Sequence, residues 1–105
     1  MTEIQHWDEN KFREASGTGT VLVDFFAEWC GPCKIMAKTL EAVAAEAPAS
    51  VRIAKIDVED APGLAAEFQI ASIPTLIVLK DGKAVYSRVG VHSKEELLDL
   101  LAKHV

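Results

Sequence analysis

Cysteine is scarce in this chain, whose 105 residues include only Cys30 and Cys33. A secreted scaffold held together by several disulfides is therefore not expected. Basic residues are also in the minority, with 11 Lys and Arg against 16 Asp and Glu and a net charge of −5. This balance argues against nucleic-acid binding, which needs a basic surface, and against adhesion to an anionic membrane.

Long apolar runs are missing as well. The longest are short segments such as residues 75–79, whereas a membrane-spanning helix needs ~20 apolar residues. The first residues show neither the basic nor the apolar region of a secretory signal. We therefore expect a cytoplasmic protein, in a compartment that keeps thiols reduced. In such a compartment, a closely spaced cysteine pair is typical of a catalytic or metal-binding site.

Length and hydrophobic periodicity predict a single α/β domain over residues 1–105, since a domain typically takes ~100–200 residues. Half of the residues are hydrophobic (50%), as in an ordinary globular protein. Predicted strands cover residues 21–26, 51–58, 75–79 and 84–89, and predicted helices cover 8–16, 33–47, 62–68 and the C-terminal segment. This order gives a βαβ unit, a helix, a β-hairpin and a last helix, which predicts a central mixed β-sheet with helices on both faces.

Local motifs mark several of the predicted boundaries. Asp8 is a typical N-cap for the first helix, and Ser93 with Glu96 forms a capping box for the last one. Asp81 and Gly82 are typical of a two-residue hairpin turn. Spacings of three and four predict the buried face of the long helix, formed by Met36, Leu40, Val43 and Ala47. The last helix is expected to bury Leu97, Leu98, Leu100 and Leu101.

The two cysteines are three residues apart where the first predicted strand meets the long helix. The first N–H groups of a helix lack internal partners, and the helix dipole adds partial positive charge there. We therefore expect a stabilised thiolate at an exposed Cys30, with the pKa of its thiol below the ordinary value, and a more shielded thiol at Cys33. Pro32 suits the first helical turn. Such a pair is suited to two-step thiol–disulfide exchange.

Three other interpretations of the pair are open. A structural zinc site needs four ligands, and His6, His92 and His104 do not provide the usual spaced pair. A purely structural disulfide over so short a loop would remove little entropy from the unfolded chain. Two unrelated core cysteines would be buried and inert. The three histidines themselves are interpreted as ordinary surface residues without a role.

The residues around the cysteines resemble the thioredoxin family. The specific match is residues 23–34, which read VDFFAEWCGPCK; weaker matches follow in the family's order at 55–57, 73–75, 81–82 and 89–90. The resemblance runs from about Ile4 to the end of the chain. It implies the thioredoxin fold and a monomeric protein-disulfide reductase with no cofactor beyond its redox-active Cys30–Cys33 disulfide. Its implied partners are disulfide-containing target proteins and thioredoxin reductase, with no nucleic acid and no membrane.

The resemblance also implies roles near the cysteines. Cys30 would attack the target disulfide, and Cys33 would resolve the mixed disulfide. Asp24 would move a proton to or from Cys33, directly or through water, since burial in a strand raises the pKa of a carboxyl. Lys55 would bias the charge of Asp24. From the residues alone, Asp24 could equally be a strand-end residue that reaches solvent, and Lys55 an exposed strand lysine.

A docking surface for the target is implied around Pro74. Only ~5–6% of X–Pro bonds in folded proteins are cis, but the resemblance implies a cis Ile73–Pro74 bond whose Ile73 backbone pairs with an extended substrate. The other implied surface residues are Trp29, Gly31, Pro32, Ala71, Ser72, Gly90 and Val91. Trp29 could instead be a core residue, although aromatic residues favour contact surfaces.

Two positions depart from the family's pattern, and two other functions stay open. Lys38 stands where the family usually has a proline that kinks the long helix, so we expect a straighter helix. Phe26 stands in place of a frequent tryptophan, which removes an indole N–H donor near the site and is expected to alter the packing around Asp24. The alternative functions are an oxidant or isomerase, against which the Gly31–Pro32 insert argues, and a non-catalytic binding or structural module.

Overall fold

The structure, a computed structural model, describes residues 2–105. Within them the chain forms five strands and four helices. In chain order the elements are β1 (Ile4–His6), α1 (Glu9–Ala15), β2 (Thr20–Phe26), α2 (Gly31–Glu46), β3 (Val51–Asp57), α3 (Pro62–Glu67), β4 (Thr75–Lys80), β5 (Lys83–Val89) and α4 (Lys94–His104).

The strands form a mixed sheet in the order β1-β3-β2-β4-β5. Strands β1, β3 and β2 are parallel, and β4 and β5 join antiparallel. The predicted parallel pairing of β2 with β3 is confirmed. Strand β1 was not predicted, because three residues carry too little periodic signal; it pairs with β3 from Ile4 opposite Ile53 to His6 opposite Lys55.

Helices cover both faces of the sheet, as predicted. All seven residues of β2 are buried, which explains its continuous apolar character. Alternation along this strand sends Leu22 to the face covered by α2 and α4, and Val21 and Val23 to the face covered by α1 and α3. Asp24 and Phe26 follow Leu22 at intervals of two, so both lie on the face that α2 covers.

The local motifs form as the sequence indicates. The carboxylate of Asp8 accepts a hydrogen bond from the Lys11 N–H at 2.7 Å and caps α1. Asp81 and Gly82 adopt positive φ angles of 49° and 83° in the turn between β4 and β5, as a type I′ hairpin turn requires. Ser93 forms the predicted capping box at the start of α4. Among the apolar residues of α4, Leu97 and Leu101 are buried and Leu98 and Leu100 partly buried.

Helix α2 differs from its prediction at the N-terminus, where it starts at Gly31 and has Cys30 as its N-cap. Its predicted face is confirmed, since Met36, Leu40, Val43 and Ala47 are all buried. The helix is continuous through Lys38, where the family pattern has proline. No helix of residues 2–105 combines the length and apolarity that crossing a membrane requires.

Candidate active site

Cys30 and Cys33 form a disulfide at the start of α2, with their Cα atoms 5.2 Å apart. Cys30 is the N-cap, and its Sγ accepts a hydrogen bond from the backbone N–H of Cys33 at 3.2 Å. Pro32 lies in the first turn, where its missing N–H leaves no helical bond unmade. The first N–H groups of a helix have no partner within the helix, and one of them, that of Cys33, points at the sulfur of Cys30.

The predicted contrast in exposure between the two cysteines is wrong for this disulfide form. Cys30 is 4% exposed and Cys33 is 3% exposed. Cys30 packs in a small cluster with Phe26, Ala27 and Cys33, and the partly buried side chain of Ile73 packs against this cluster. Its Sγ lies 3.9 Å from the carbonyl oxygen of Ile73. This contact, from a segment distant in sequence, shields the N-cap sulfur.

Asp24 is buried on the α2 face of the sheet with 0% of its surface exposed. Neither carboxyl oxygen has a hydrogen-bond partner among the described residues. Burial raises the pKa of this carboxyl to about 7, and the positive charge of Lys55 opposes that increase. The alternative in which Asp24 reaches solvent is therefore wrong, and the carboxyl can exchange a proton near neutral pH.

Lys55 is the register partner of Asp24 on the neighbouring strand β3. It is half-buried rather than fully exposed. Its Nζ lies 4.3 Å from the centroid of the Phe26 ring, within the range of a cation–π contact. The Phe26 ring, which stands in place of the family's frequent indole, therefore stabilises the ammonium group of Lys55 beside Asp24.

An open cleft of about 290 Å³ reaches Cys33 on the side of Lys55. Its charged lining residues are Glu28, Lys34 and Lys55, which come from three different segments of the chain. The complete lining comprises His6, Phe26, Ala27, Glu28, Cys33, Lys34, Ala37 and Lys55. The cleft gives solvent an approach to the sheet face on which Asp24 is buried.

Four of the implied docking residues lie together around one groove, and these are Trp29, Ala71, Ser72 and Ile73. Trp29 is 69% exposed, so its interpretation as a core residue is wrong. A shallow groove of about 160 Å³ is lined by Trp29, Ala71, Ser72 and Ile73 together with Val58 and Ile70. Val58 and Ile70 were not predicted to line this groove. The only signals in the sequence were that Val58 is an apolar residue directly after β3 and that Ile70 is an apolar residue directly before Ala71.

Pro74 and Gly90 form the second part of this surface. The Ile73–Pro74 peptide bond is cis, as the family resemblance implied, and Pro74 is buried. The N–H of Gly90 donates a hydrogen bond to the carbonyl oxygen of Pro74 at 2.8 Å. Val91 follows with 48% of its surface exposed, whereas Gly31 and Pro32 lie exposed in the first turn of α2.

The histidines are not alike. His6 is exposed and His104 is half-buried. His92 is only 2% exposed, so its interpretation as a surface residue is wrong. It is enclosed because α2 and β5 converge on the loop that precedes α4. Among residues 2–105, no group of three or more His, Cys, Asp and Glu side chains is arranged to hold a metal ion.

Comparison with known proteins agrees with this site. The thioredoxin family model matches residues 3–103. The thioredoxin of Chlamydia trachomatis serovar D is 46% identical over 101 residues, covering 96% of this chain and 98% of the relative. The thioredoxin of Staphylococcus haemolyticus is 46% identical over 105 residues, covering 100% of both chains. A mutant thioredoxin from Halobacterium salinarum NRC-1 superimposes with a TM-score of 0.88 at 31% identity, covering 97% of this chain and 90% of that one.

A cysteine pair that closes a disulfide at a helix start, beside a cis-proline loop on a mixed sheet, defines a thiol–disulfide oxidoreductase. This chain belongs to the thioredoxin family. Its redox-active group is accordingly the Cys30–Cys33 pair, and its general activity is disulfide reduction.

Proposed function

We propose that this chain is a protein-disulfide reductase in which Cys30 is the nucleophile and Cys33 the resolving thiol. The observation that carries the proposal is the position of Cys30 as N-cap of α2, with the Cys33 N–H directed at its sulfur. A donor and a helix dipole at that sulfur favour the thiolate, which is the species that attacks a disulfide.

The reaction transfers two electrons from the dithiol to the target in two displacements. The Cys30 thiolate attacks one sulfur of the target disulfide, which forms a mixed disulfide and releases the first target thiolate. The Cys33 thiol then loses its proton and attacks the Cys30 sulfur. This step forms the Cys30–Cys33 disulfide and releases the second target thiolate, so the target is reduced and the enzyme is oxidised.

Asp24 is the group we propose to take the proton from Cys33. A general base is most effective when its pKa lies near the working pH. Burial raises the pKa of Asp24 to about 7, and its carboxyl oxygens have no competing hydrogen bond among the described residues. The positive charge of Lys55 favours the ionised form, and therefore tunes how much of the carboxylate is present at neutral pH.

The target binds, in this proposal, to the exposed residues that surround the buried disulfide. Trp29 offers the large apolar contact, and the groove lined by Ala71, Ser72 and Ile73 accepts side chains of the target. Pro74 has no N–H to donate, and in this proposal the backbone of Ile73 pairs with an extended segment of the target. Gly31, Pro32, Gly90 and Val91 complete this surface.

We further propose that the chain works as a cytoplasmic monomer and is reduced again by thioredoxin reductase. The family membership supports this recycling, and the net charge of −5 is consistent with protein targets rather than nucleic acid.

The test is reduction of a protein disulfide in a reductase-coupled assay, with Cys30→Ser and Cys33→Ser in parallel. The parent should be active and Cys30→Ser inactive, whereas Cys33→Ser should accumulate a mixed disulfide that a gel without reducing agent reveals. Full activity of Cys30→Ser would contradict the assignment. Accumulation of the mixed disulfide in Cys30→Ser rather than Cys33→Ser would reverse the two roles.

A further inference from the structure

His92 is a buried titratable side chain that the proposed reaction does not use. It is 2% exposed, and both nitrogens of its ring have partners. Nδ1 lies 2.8 Å from the carbonyl oxygen of Gly90, and Nε2 lies 2.7 Å from the hydroxyl of Tyr86. A buried imidazole bonded at both nitrogens is fixed in orientation, so His92 is a rigid connection between β5 and the loop that follows it.

The chemistry of the partners assigns the direction of both hydrogen bonds. A carbonyl oxygen can only accept, so Nδ1 of His92 carries the hydrogen and donates to Gly90. In the neutral ring Nε2 is then the acceptor, and the hydroxyl of Tyr86 donates to it. The chain of donors therefore runs from Tyr86 through His92 to the Gly90 carbonyl.

Gly90 is the point at which this chain of hydrogen bonds meets the docking surface. Its N–H donates to the carbonyl oxygen of Pro74, while its own carbonyl accepts from His92. Its φ is +109°, a conformation that L side chains rarely adopt, and apart from its two chain neighbours no described residue has an atom within 4 Å of the position a Cβ would take. Glycine is required here for its backbone freedom, so contacts on both sides are needed to hold one conformation.

His92 is itself anchored to the helix that carries the cysteines. Its backbone N–H donates to Sδ of Met36 at 3.2 Å. Met36 is fully buried and lies three residues after Cys33 in α2. The ring of Tyr86, on β5, meets the imidazole edge-on with centroids 5.8 Å apart. The loop is therefore positioned relative to both the sheet and α2.

We propose that His92 is a positioning residue for target binding, which holds Gly90 and Val91 in place beside Pro74 through its Nδ1–H bond to the Gly90 carbonyl. The inference rests on the proposed function, because it assigns part of the docking surface. We therefore expect substitutions at His92 to change the KM for an extended protein target and to leave the rate of thiol–disulfide exchange unchanged.

Three substitutions separate positioning from simple packing. His92→Asn puts an amide N–H near the place of Nδ1, from which it can donate to Gly90. His92→Gln puts its amide near the place of Nε2, where it contacts Tyr86 but not Gly90. His92→Leu fills a similar volume and makes neither bond. If His92 served only to fill space, the Leu and Gln variants would bind the target as the parent does.

The assay follows the single-turnover oxidation of pre-reduced enzyme by two substrates, insulin as the protein disulfide and dithiobis(nitrobenzoate) as a small disulfide. KM and kcat are the half-saturating substrate concentration and the limiting rate of this single turnover. We expect the KM for insulin to rise about fivefold in His92→Leu and His92→Gln, which corresponds to about 1 kcal/mol. His92→Asn should stay within about twofold of the parent, at the scale of less than one neutral hydrogen bond. The kcat with insulin and the rate with the small disulfide should not change.

Amide hydrogen exchange at Gly90 provides a second readout that needs no substrate. Exchange should accelerate in His92→Leu and His92→Gln and remain at the parent's rate in His92→Asn. Equal KM values in all four proteins, or retention by Gln with loss in Asn, would overturn the proposal. A parent that reduces neither disulfide would contradict the proposed function instead, while the exchange rates would still decide whether His92 holds Gly90.

Discussion

Asp24 on β2 and Lys55 on β3 are direct neighbours across two parallel strands, yet no hydrogen bond to the carboxyl of Asp24 is found among the described residues. The Nζ of the lysine instead lies over the Phe26 ring. The pKa of this carboxyl is therefore set mainly by the cost of burying its charge, and the positive charge of Lys55 offsets only part of that cost. This imbalance has consequences for stability and for catalysis that can be measured separately.

The stability of the oxidised protein should fall as the pH rises from about 4 to about 7. The ordinary pKa of an Asp carboxyl, 3.8, applies to the unfolded chain, whereas burial raises the pKa of Asp24 to about 7 in the folded protein. Between these two pH values the folded state therefore binds more protons than the unfolded state. Stability then decreases with pH and reaches a plateau above pH 7. At 1.36 kcal/mol per pKa unit, the full effect is on the order of 4 kcal/mol.

Asp24→Asn should remove this dependence, since an amide does not titrate. Urea unfolding at pH 5 and pH 8 should show the variant gaining stability relative to the parent as the pH increases. Asp99→Asn, an exposed acid-to-amide change on α4, serves as the control and should follow the parent. Parallel pH curves for the parent and Asp24→Asn would mean that Asp24 titrates at its ordinary pKa.

Replacing Lys55 should raise the pKa of Asp24 further. The lysine charge is what lowers that pKa against the effect of burial, so Lys55→Gln leaves burial unopposed. A carbon-detected NMR titration of the Asp24 carboxyl should move its midpoint above the parent's value of about 7. Lys34→Gln is the matched control, because Lys34 borders the same cleft without contributing to the pKa of Asp24. An unchanged midpoint in Lys55→Gln would rule out the electrostatic role of this lysine.

The resolution step should depend on the ionisation of Asp24. If its carboxylate takes the proton of Cys33, the rate of release of the second target thiol rises with pH through about 7. In Asp24→Asn this increase with pH should be absent, and release of the second target thiol should be about 10²-fold slower at pH 8, which is the lower end of general acid–base contributions. Single-turnover quenched flow with excess protein disulfide measures this. The first displacement, by Cys30, is the internal control and should retain its rate.

The periodic elements could be predicted from sequence because their signals are local. Asp8 and Ser93 cap helices through bonds to residues three positions away, and Asp81–Gly82 encodes its turn in two residues. Strand β2 is recognisable because both of its faces are buried and its residues are correspondingly apolar. These features require no knowledge of the rest of the fold, whereas β1 is too short to show a period and is defined only by its pairing with β3.

The details of the site could not be predicted where distant segments decide them. Cys30 is shielded by Ile73, which is 43 positions away in the sequence. His92 is enclosed by Met36, 56 positions away, and nothing next to it in the sequence signals burial. The residues around Asp24 left its burial open, and only the family resemblance favoured a buried carboxyl; its lack of a hydrogen-bond partner among the described residues depends on where α2 and Lys55 lie. The chemistry was readable from the cysteine spacing, and the burial of its neighbours was not.

Trp29→Ala should weaken target binding without destabilising the fold. The indole is 69% exposed, so its removal should change the free energy of unfolding by less than about 0.5 kcal/mol. As an aromatic anchor its loss should raise the KM for a protein disulfide about tenfold. Val85→Ala, at a 43% exposed position towards the hairpin end of β5, is the control and should change neither quantity. A large loss of stability in Trp29→Ala would show that the indole packs against the fold instead.

Ser93→Ala tests whether the scaffold and the site can be weakened independently. Ser93 accepts the Glu96 N–H at 3.1 Å, and Glu96 accepts the Ser93 N–H at 3.0 Å, so the substitution breaks the capping box of α4. Loss of an N-cap costs about 1 kcal/mol, which should lower Tm by about 4–8 °C in a chain of this size. Because His92 keeps its ring contacts, the KM for a protein disulfide at 25 °C should stay at the parent's value.

Ser87→Ala is the matched control, since Ser87 is exposed in the middle of β5 and lies outside any helix cap. It should leave both Tm and KM unchanged. An increase in KM in Ser93→Ala would mean that α4 and the Gly90 loop move together, because the cap and the loop adjoin along the chain. The contrast between Ser93 and His92, two adjacent residues, therefore measures how far target binding depends on one imidazole rather than on the stability of the helix that follows it.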